Sequence, residues 1–350
     1  MPSPPPAYSG PAPEYDSDDD MVSMSSDEFN AYFQVVPRFE NKLYHSSPTC
    51  PYPFPVDAYE TQRLDVVHNL LLSIIGRPFV GPVHEILTAA PNGQERRVVD
   101  VGCGRGQCVH RLETMSDLYH HVSFFGLDIV QSLEANLEDY QVPISTRYPP
   151  DNVNFEIHDI ATPMRFQNAS IDVVHVRLCS MTVRNYNFIL REASRVLRPG
   201  GILVFGEIFR GPVIDPSDGR DPQNEVPNLA AFYNNVNHRL QARGIQHVCN
   251  TIPQRLQGLG TFTDITQFEY NIPIGPWPNT TADGALIGRQ YRDALGRYMD
   301  AAKRMLTEGP EGLSEQQYQD LCDRASEDIG RAENAVKLLT RYYTGFAIRG

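Results

Sequence analysis

The sequence predicts an α/β protein built on a mostly parallel sheet with helices on both faces. Three observations carry this. From Arg97 onward, short apolar runs alternate with helix-forming segments, the pattern of strands joined by covering helices. The first run, Val98-Val99-Asp100-Val101, passes into Gly102-Cys103-Gly104-Arg105-Gly106 before a helical stretch, a turn whose glycines let backbone approach a ligand. Finally, Ile202-Leu203-Val204-Phe205-Gly206 is nearly all apolar, as expected of a central strand covered on both sides.

Residues 1–27 are rich in Pro, Ser and Asp, including Asp16-Ser17-Asp18-Asp19-Asp20, and are expected to be disordered because they hold too few apolar groups to offset the entropy of ordering. Ser17, just before three acids, has the setting of an acidophilic-kinase site, but an inert solvated tail is the plainer reading. Residues 28–95 read as an N-terminal helical cap. Within it a helix from Ala58 to Ile75 has one apolar face through Leu64, Val67, Leu71 and Ile74, with Arg63, Asp65 and His68 beside or opposite that face. Pro78 and Gly81-Pro82 end this stretch, and a short helix covers Val83 to Leu87.

Residues 96–210 make the core. Strands are expected over 97–101, 122–128, 153–159, 171–176 and 202–206, with helices over 106–114 and 186–197 and a turn at Arg198-Pro199-Gly200-Gly201. Residues 211–350 open with a polar Pro- and Asp-rich loop to Pro227. They continue as a helix over 228–243, a strand over 262–270, an amphipathic helix over 288–306 and a closing strand over 342–349. Arg289, Arg292, Arg297, Lys303 and Arg304 on that last helix read as a solvated face rather than an anion-binding one.

A formal net charge of -13 argues against general affinity for nucleic acid. Met1-Pro2-Ser3-Pro4-Pro5-Pro6 has no basic and apolar leader pattern, and no apolar run reaches the ~20 residues of a membrane helix. The six cysteines lack C-x-x-C spacing, so reduced thiols, no metal site and a cytoplasmic or nuclear location are expected.

The glycine turn separates two nucleotide-binding patterns. A dinucleotide fingerprint needs G-x-G-x-x-G, but here the third glycine comes one residue early and Gln107 stands where Gly or Ala is wanted. With Asp100, the stretch becomes D-x-G-x-G-x-G, which resembles motif I of the class I S-adenosylmethionine (SAM) methyltransferases. The resemblance implies a Rossmann-like sheet with an antiparallel closing strand, an N-terminal helical cap and a helical insertion before the last strand. It also implies SAM held by Asp100, Gly102, Cys103, Gly104, Asp128, Ile129, Asp159, Ile160, Arg177 and Tyr44. Asp128, ending the second strand, would accept from the ribose hydroxyls; a helix N-cap is the other use of such an acid, but it would need no match with Asp100 and the glycines. Asp159 would accept from the adenine amino group beside Ile160 on the ring, and Asp100 would face the methionine moiety or orient the turn.

Further segments are similar to the fungal methyltransferases related to LaeA-type regulators of secondary metabolism. These are Leu43-Tyr44-His45, Tyr52 to Asp57, Gln62-Arg63-Leu64-Asp65-Val66-Val67-His68, Pro276-Trp277 and Gly312-Leu313-Ser314. In that family R-x-Y-H and R-L-D-x-x-H segments help cap the cofactor. Lys42 replaces the usual Arg, Arg177 to Asn185 lacks an Asp-Trp, and Phe346-Ala347-Ile348-Arg349 replaces a Gly-Arg-Lys ending. The resemblance implies methyl transfer to O, N, S or C of an acceptor, foremost a small molecule of fungal specialised metabolism. A SAM-binding regulator acting through protein partners and a protein methyltransferase are the alternatives. There is no Asn-Pro-Pro-Tyr segment and no acid cluster for metal-assisted transfer, and no catalytic base is identified. Tyr44, His68, His175 and Arg177 are pocket candidates, His175 being better suited to the core of a buried strand.

Overall fold

The computed structural model describes residues 33–88, 95–104, 118–129, 150–277, 280–333 and 335–350. The expected tail with Ser17, the helix over 106–114 and the motif residues Arg105, Gly106 and Gln107 lie outside the described residues.

The chain enters through a hairpin, β1 (Phe33–Val36) and β2 (Lys42–His45), followed by α1 (Ala58–Ile75) and α2 (Val83–Thr88). Asp57 caps α1 by accepting from Glu60 N, and Gly76 ends it in the left-handed region, the usual pairing of an acidic N-cap with a C-terminal glycine. The sheet then forms from β3 (Arg96–Val101), β4 (Val122–Asp128), β5 (Val153–Ile157), β6 (Ile171–Arg177) and, after helix α3 (Tyr186–Val196), β7 (Leu197–Ile208). These five run parallel in the order β5-β4-β3-β6-β7. Arg198 to Gly201 are not a separate turn but a bulge inside β7, where the β6–β7 register shifts between Ile171 and Val173.

A short β8 (Val213–Ile214) leads to helices α4 (Pro227–Ala242) and α5 (Ile252–Leu259), strand β9 (Phe262–Pro273), helices α6 (Ala282–Thr307) and α7 (Glu315–Ala332), and β10 (Leu338–Arg349). β10 is antiparallel to β7 and β8 along one edge and to β9 along the other. The sheet is thus mostly parallel with an antiparallel closing strand, as the sequence predicts.

Both faces of the parallel strands are covered, which is why they read as near-continuous apolar runs. Val99, Val101, Val174, Val176, Leu203 and Phe205 pack with Ile189 and Leu190 of α3 and Ile252 of α5. On the opposite face Val98, Phe124, Val173 and Val204 pack with Val83 and Leu87 of α2. A separate helical core joins α1, α4, α6 and α7 through Leu71, Phe232, Leu295, Tyr298, Met305 and Ile329. Each such side chain contributes about 1.5–3 kcal/mol on burial. At the amino ends of the strands, buried Asp172 accepts from Arg97 N at 2.9 Å and Arg198 Nη1 at 2.7 Å and pairs with Arg96, tying β3, β6 and β7 together.

The basic face of α6 is less solvated than expected. The Arg297 guanidinium lies 5.0 Å over Tyr59 and that of Arg304 4.5 Å over Tyr44, while Arg292 pairs with Glu333 and Lys303 with Glu315 at 2.5 Å. Helix α6 also starts at Ala282 rather than 288, because Thr281 caps it through Gly284 N. Among the described residues no helix is long and apolar enough to cross a membrane.

Candidate functional site

The carboxyl ends of β3 to β7 meet under the N-terminal segment and α6, and between them lies one cavity of ≈ 230 Å³. Ligands of open α/β sheets bind at this end. Its floor is the glycine turn. Gly102 and Gly104 have φ of 70° and 67°, and the turn hangs from β4 through Gly102 N and Cys103 N, both donating to Leu127 O at 2.8 and 3.1 Å. Gly104 N donates to Asp128 Oδ2 at 2.8 Å. A Cβ on Gly104 would enter empty space, whereas one on Gly102 would stand 2.5 Å from Cys179 Sγ. The turn therefore presents bare backbone to the cavity on one side and packs hard against the β6 loop on the other.

Eight of the ten predicted site residues wall this cavity: Gly102, Cys103, Gly104, Asp128, Ile129, Asp159, Ile160 and Arg177. Asp159, two residues beyond the end of β5, which stops at Ile157 rather than 159, accepts from Ala161 N at 2.9 Å through Oδ1 and from the Thr49 hydroxyl through Oδ2, so the N-terminal segment closes directly onto the loop after β5. That closure is reinforced by Arg184 Nη1 donating to Thr49 O at 2.7 Å and by Cys50 Sγ reaching Thr182 O at 3.7 Å. Arg177 meets His68 Nδ1, both buried.

The other two stand apart from the cavity wall. Asp100 is buried against His175, whose Nδ1 donates to Asp100 Oδ1 at 2.8 Å, and so supports the turn from beneath it. Tyr44 is buried under Arg304, and burial pushes its phenol well up from the ordinary range. Of the four pocket candidates, His68 and Arg177 line the cavity, and Tyr44 and His175 do not.

Several cavity residues were not expected. His45 donates through Nε2 to Tyr52 O at 2.8 Å, leaving Nδ1 buried with no hydrogen-bond partner among the described residues, and His158 Nε2 is in the same condition. Burial lowers both pKa values, foremost by desolvation of the charged form, so both rings offer neutral edges. On α1, Arg63 grips Glu60 with Nε and Nη2 at 2.8 and 2.6 Å, its guanidinium 5.4 Å over Tyr298. Tyr233, Tyr291 and Tyr298, all buried, complete an aromatic wall of the same cavity.

Glu207 sits at the carboxyl end of β7 on that same wall. Its Oε1 accepts from Cys179 N at 2.9 Å, Ser180 N at 3.0 Å and Tyr186 OH at 3.3 Å. Burial is the largest influence on its carboxyl and raises the pKa to about 7 against the Ser180 side-chain hydrogen bond, the Arg210 charge and the Cys179 and Tyr186 bonds. The signal for it was present in the sequence: like Asp128 and Asp159, it is an acid closing an apolar strand. Among the described residues no group of three or more His, Cys, Asp or Glu could hold a metal ion.

Residues 92–252 match the family model of a methyltransferase domain. The chain is 24% identical over 262 residues to the methyltransferase str2 of Strobilurus tenacellus, covering 74% of this chain and 84% of that protein. It is 26% identical over 264 residues to the secondary metabolism regulator LAE1 of Cochliobolus heterostrophus, covering 74% and 78%. Among solved structures, a phosphoethanolamine N-methyltransferase of Haemonchus contortus matches with TM-score 0.41 and 16% identity over 85% of this chain and 61% of that one.

Proposed function

We propose that this chain, whose residues 92–252 match a methyltransferase domain and which is similar to fungal secondary-metabolism proteins, is a SAM-dependent methyltransferase that methylates a small molecule held between the glycine turn and the tyrosine wall. The observation that carries this is the single cavity with two chemically different ends. One end offers bare backbone at Gly104 and the acids Asp128 and Asp159; the other is aromatic.

The polar end fits SAM. Gly104 leaves open the space a Cβ would fill, and the partnerless Nδ1 of His45 and Nε2 of His158 are buried polar atoms suited to a polar ligand. Asp128 would hold the ribose hydroxyls while keeping the turn in place through Gly104 N, and Asp159 would accept from the adenine amino group beside Ile160. Asp100 acts through His175 and the turn as a positioning residue. When bound, SAM supplies a methyl group on a positively charged sulfur. The protein's part is to exclude water and align the acceptor, since positioning alone can supply much of the acceleration.

The aromatic end, lined by the buried Tyr233, Tyr291 and Tyr298, favours a small apolar acceptor over a charged peptide. We read the segment 28–95 as the cap of this site, 96–210 as its cofactor half and 211–350 as its acceptor half. Titration calorimetry tests the reading: SAM should bind the purified chain and NADH should not. The reverse result removes it.

A further inference from the structure

The second oxygen of Glu207 has no part in the three bonds that fix its first. Cys179 N, Ser180 N and Tyr186 OH all converge on Oε1, and the Ser180 side chain also bonds the carboxyl, so the group is rigidly held while Oε2 takes none of those three bonds. Cys179, whose amide holds Glu207, also packs its sulfur against Gly102. Glu207 is therefore one side chain away from the glycine turn, at the junction of the polar and aromatic ends of the cavity. From the proposed function and this geometry we infer that Glu207 is the general base of the reaction, and that the acceptor is an apolar hydroxyl compound whose proton passes to Oε2.

Two further charges of the chamber are already engaged. Arg63 is held by Glu60 in two bonds. Arg210 donates to Asn237 Oδ1, Ser180 Oγ and Gln246 O, each at 3.1 Å. Buried charges matched in this way offer little to an ionic acceptor, and Leu64, Val67, Tyr233, Tyr291 and Leu295 complete an apolar surround. A hydroxyl on a ring placed against that wall needs one polar contact, a proton acceptor at the junction, and Glu207 is the carboxyl there.

In the reaction the acceptor O–H bond breaks and its proton is held at Oε2. The oxygen's electron pair forms the new O–CH₃ bond, the methyl's bond to sulfur breaks with its pair left on sulfur, and the product is a neutral ether. A base titrating near the working pH suits this, because it is ionised when the acceptor arrives yet basic enough to take the proton. The groups that face the carboxyl are Arg210 beyond β7, Cys179 and Ser180 after β6, Tyr186 on α3 and Cys249 before α5. Arg210 is the cation among them and keeps the carboxyl from rising further.

The test uses the full chain, SAM labelled in its methyl group, and 1-naphthol and benzylamine as acceptor probes. We expect label in the naphthyl methyl ether, a rate rising through a limb near pH 7, and a loss on the order of 10²–10³-fold in kcat with that limb abolished in Glu207→Gln. The Kd for SAM should stay within about threefold. Difference infrared spectra of the ligand-free protein give a readout independent of turnover: a protonated-carboxyl band that fades as the pH passes about 7 and is missing from Glu207→Gln. Should that variant not fold, Glu207→Asp decides, keeping the band while losing most of the rate because its carboxyl is withdrawn by one methylene.

A Glu207→Gln protein that binds SAM and keeps more than about a tenth of the rate overturns the base, as does a Glu207→Asp protein with undiminished rate. A wild-type protein that binds SAM but labels only benzylamine, or neither probe, overturns the hydroxyl acceptor. Wild-type protein that binds no SAM at all instead removes the methyltransferase reading on which this rests.

Discussion

His175 and Asp100 lie opposite each other in the β6–β3 ladder and are joined by a 2.8 Å hydrogen bond beneath the glycine turn. The pair is buried, and the Phe79 ring packs edge-on against the imidazole at 5.3 Å. A strand acid two residues before Gly102 is thus held by a neighbouring strand rather than presented to the cavity. Replacing His175 with Leu keeps the volume roughly constant but removes a bond to a carboxylate, worth about 1.5–3 kcal/mol. Urea unfolding should show a loss of that size, with a smaller effect on SAM affinity than any change at Asp128.

Asp128 carries two duties, one to the turn through Gly104 N and one proposed to the ribose. Asp128→Ala should weaken SAM binding at least about tenfold, since each bond to a charged acceptor is worth ~1.5–3 kcal/mol. The chain should still melt cooperatively. Unaltered affinity in calorimetry would remove the ribose role.

Gly102 combines a left-handed φ of 70° with only 2.5 Å between a would-be Cβ and Cys179 Sγ. Gly102→Ala therefore forces the β6 loop outward as well as straining the backbone, at a cost of about 1–3 kcal/mol. Lowered melting temperature together with lost SAM binding is the expected result. Gly104→Ala, strained but unobstructed in the unliganded protein, should melt closer to wild type.

Stability should depend on pH through Glu207. Its folded pKa, about 7, exceeds the ordinary value of 4.5, so between these values the folded chain holds a proton that the unfolded chain has released. Stability from this group is thus fully present below pH 4.5 and falls as the pH rises to about 7, by an amount on the order of 3 kcal/mol. Urea titrations across that window should show the decline, and Glu207→Gln should flatten it.

The N-terminal segment is pinned by Arg304 over Tyr44 and Arg297 over Tyr59. Arg304→Ala should remove about 0.5–2 kcal/mol of cation–π attraction from the cap. Limited proteolysis within residues 33–57 should quicken while the sheet core resists. Equal protection in both proteins would mean that the cap is held elsewhere.

The central strands were legible because burial on both faces leaves a run of apolar residues that little else produces; β4 falls at Val122–Asp128 as expected. The hairpin β1–β2 and helix α7 were not legible. Each is short of apolar signal, the hairpin having exposed Gln34 and Val35 and α7 burying few apolar side chains. Ser314 and Gln317, which form a capping box on α7, were the available clue. At the site, acids at strand ends announced Asp128 and Asp159, and the same logic extends to Glu207. The tyrosine wall could not be read in advance, because Tyr233 of α4 and Tyr291 and Tyr298 of α6 come from segments that only the tertiary fold brings together.

The antiparallel strand β10 is wedged between β7 and β9, yet the chain reaches it only after the whole helical excursion that follows Ile208. Until it arrives, β7 has an open edge that faces no neighbour. Chain closure over so long a loop is slow, so a nascent or refolding molecule should dwell with a half-built sheet able to pair with another copy of itself. Heterologous expression is therefore predicted to reward cool, slow synthesis, and chains cut before Leu338 should precipitate.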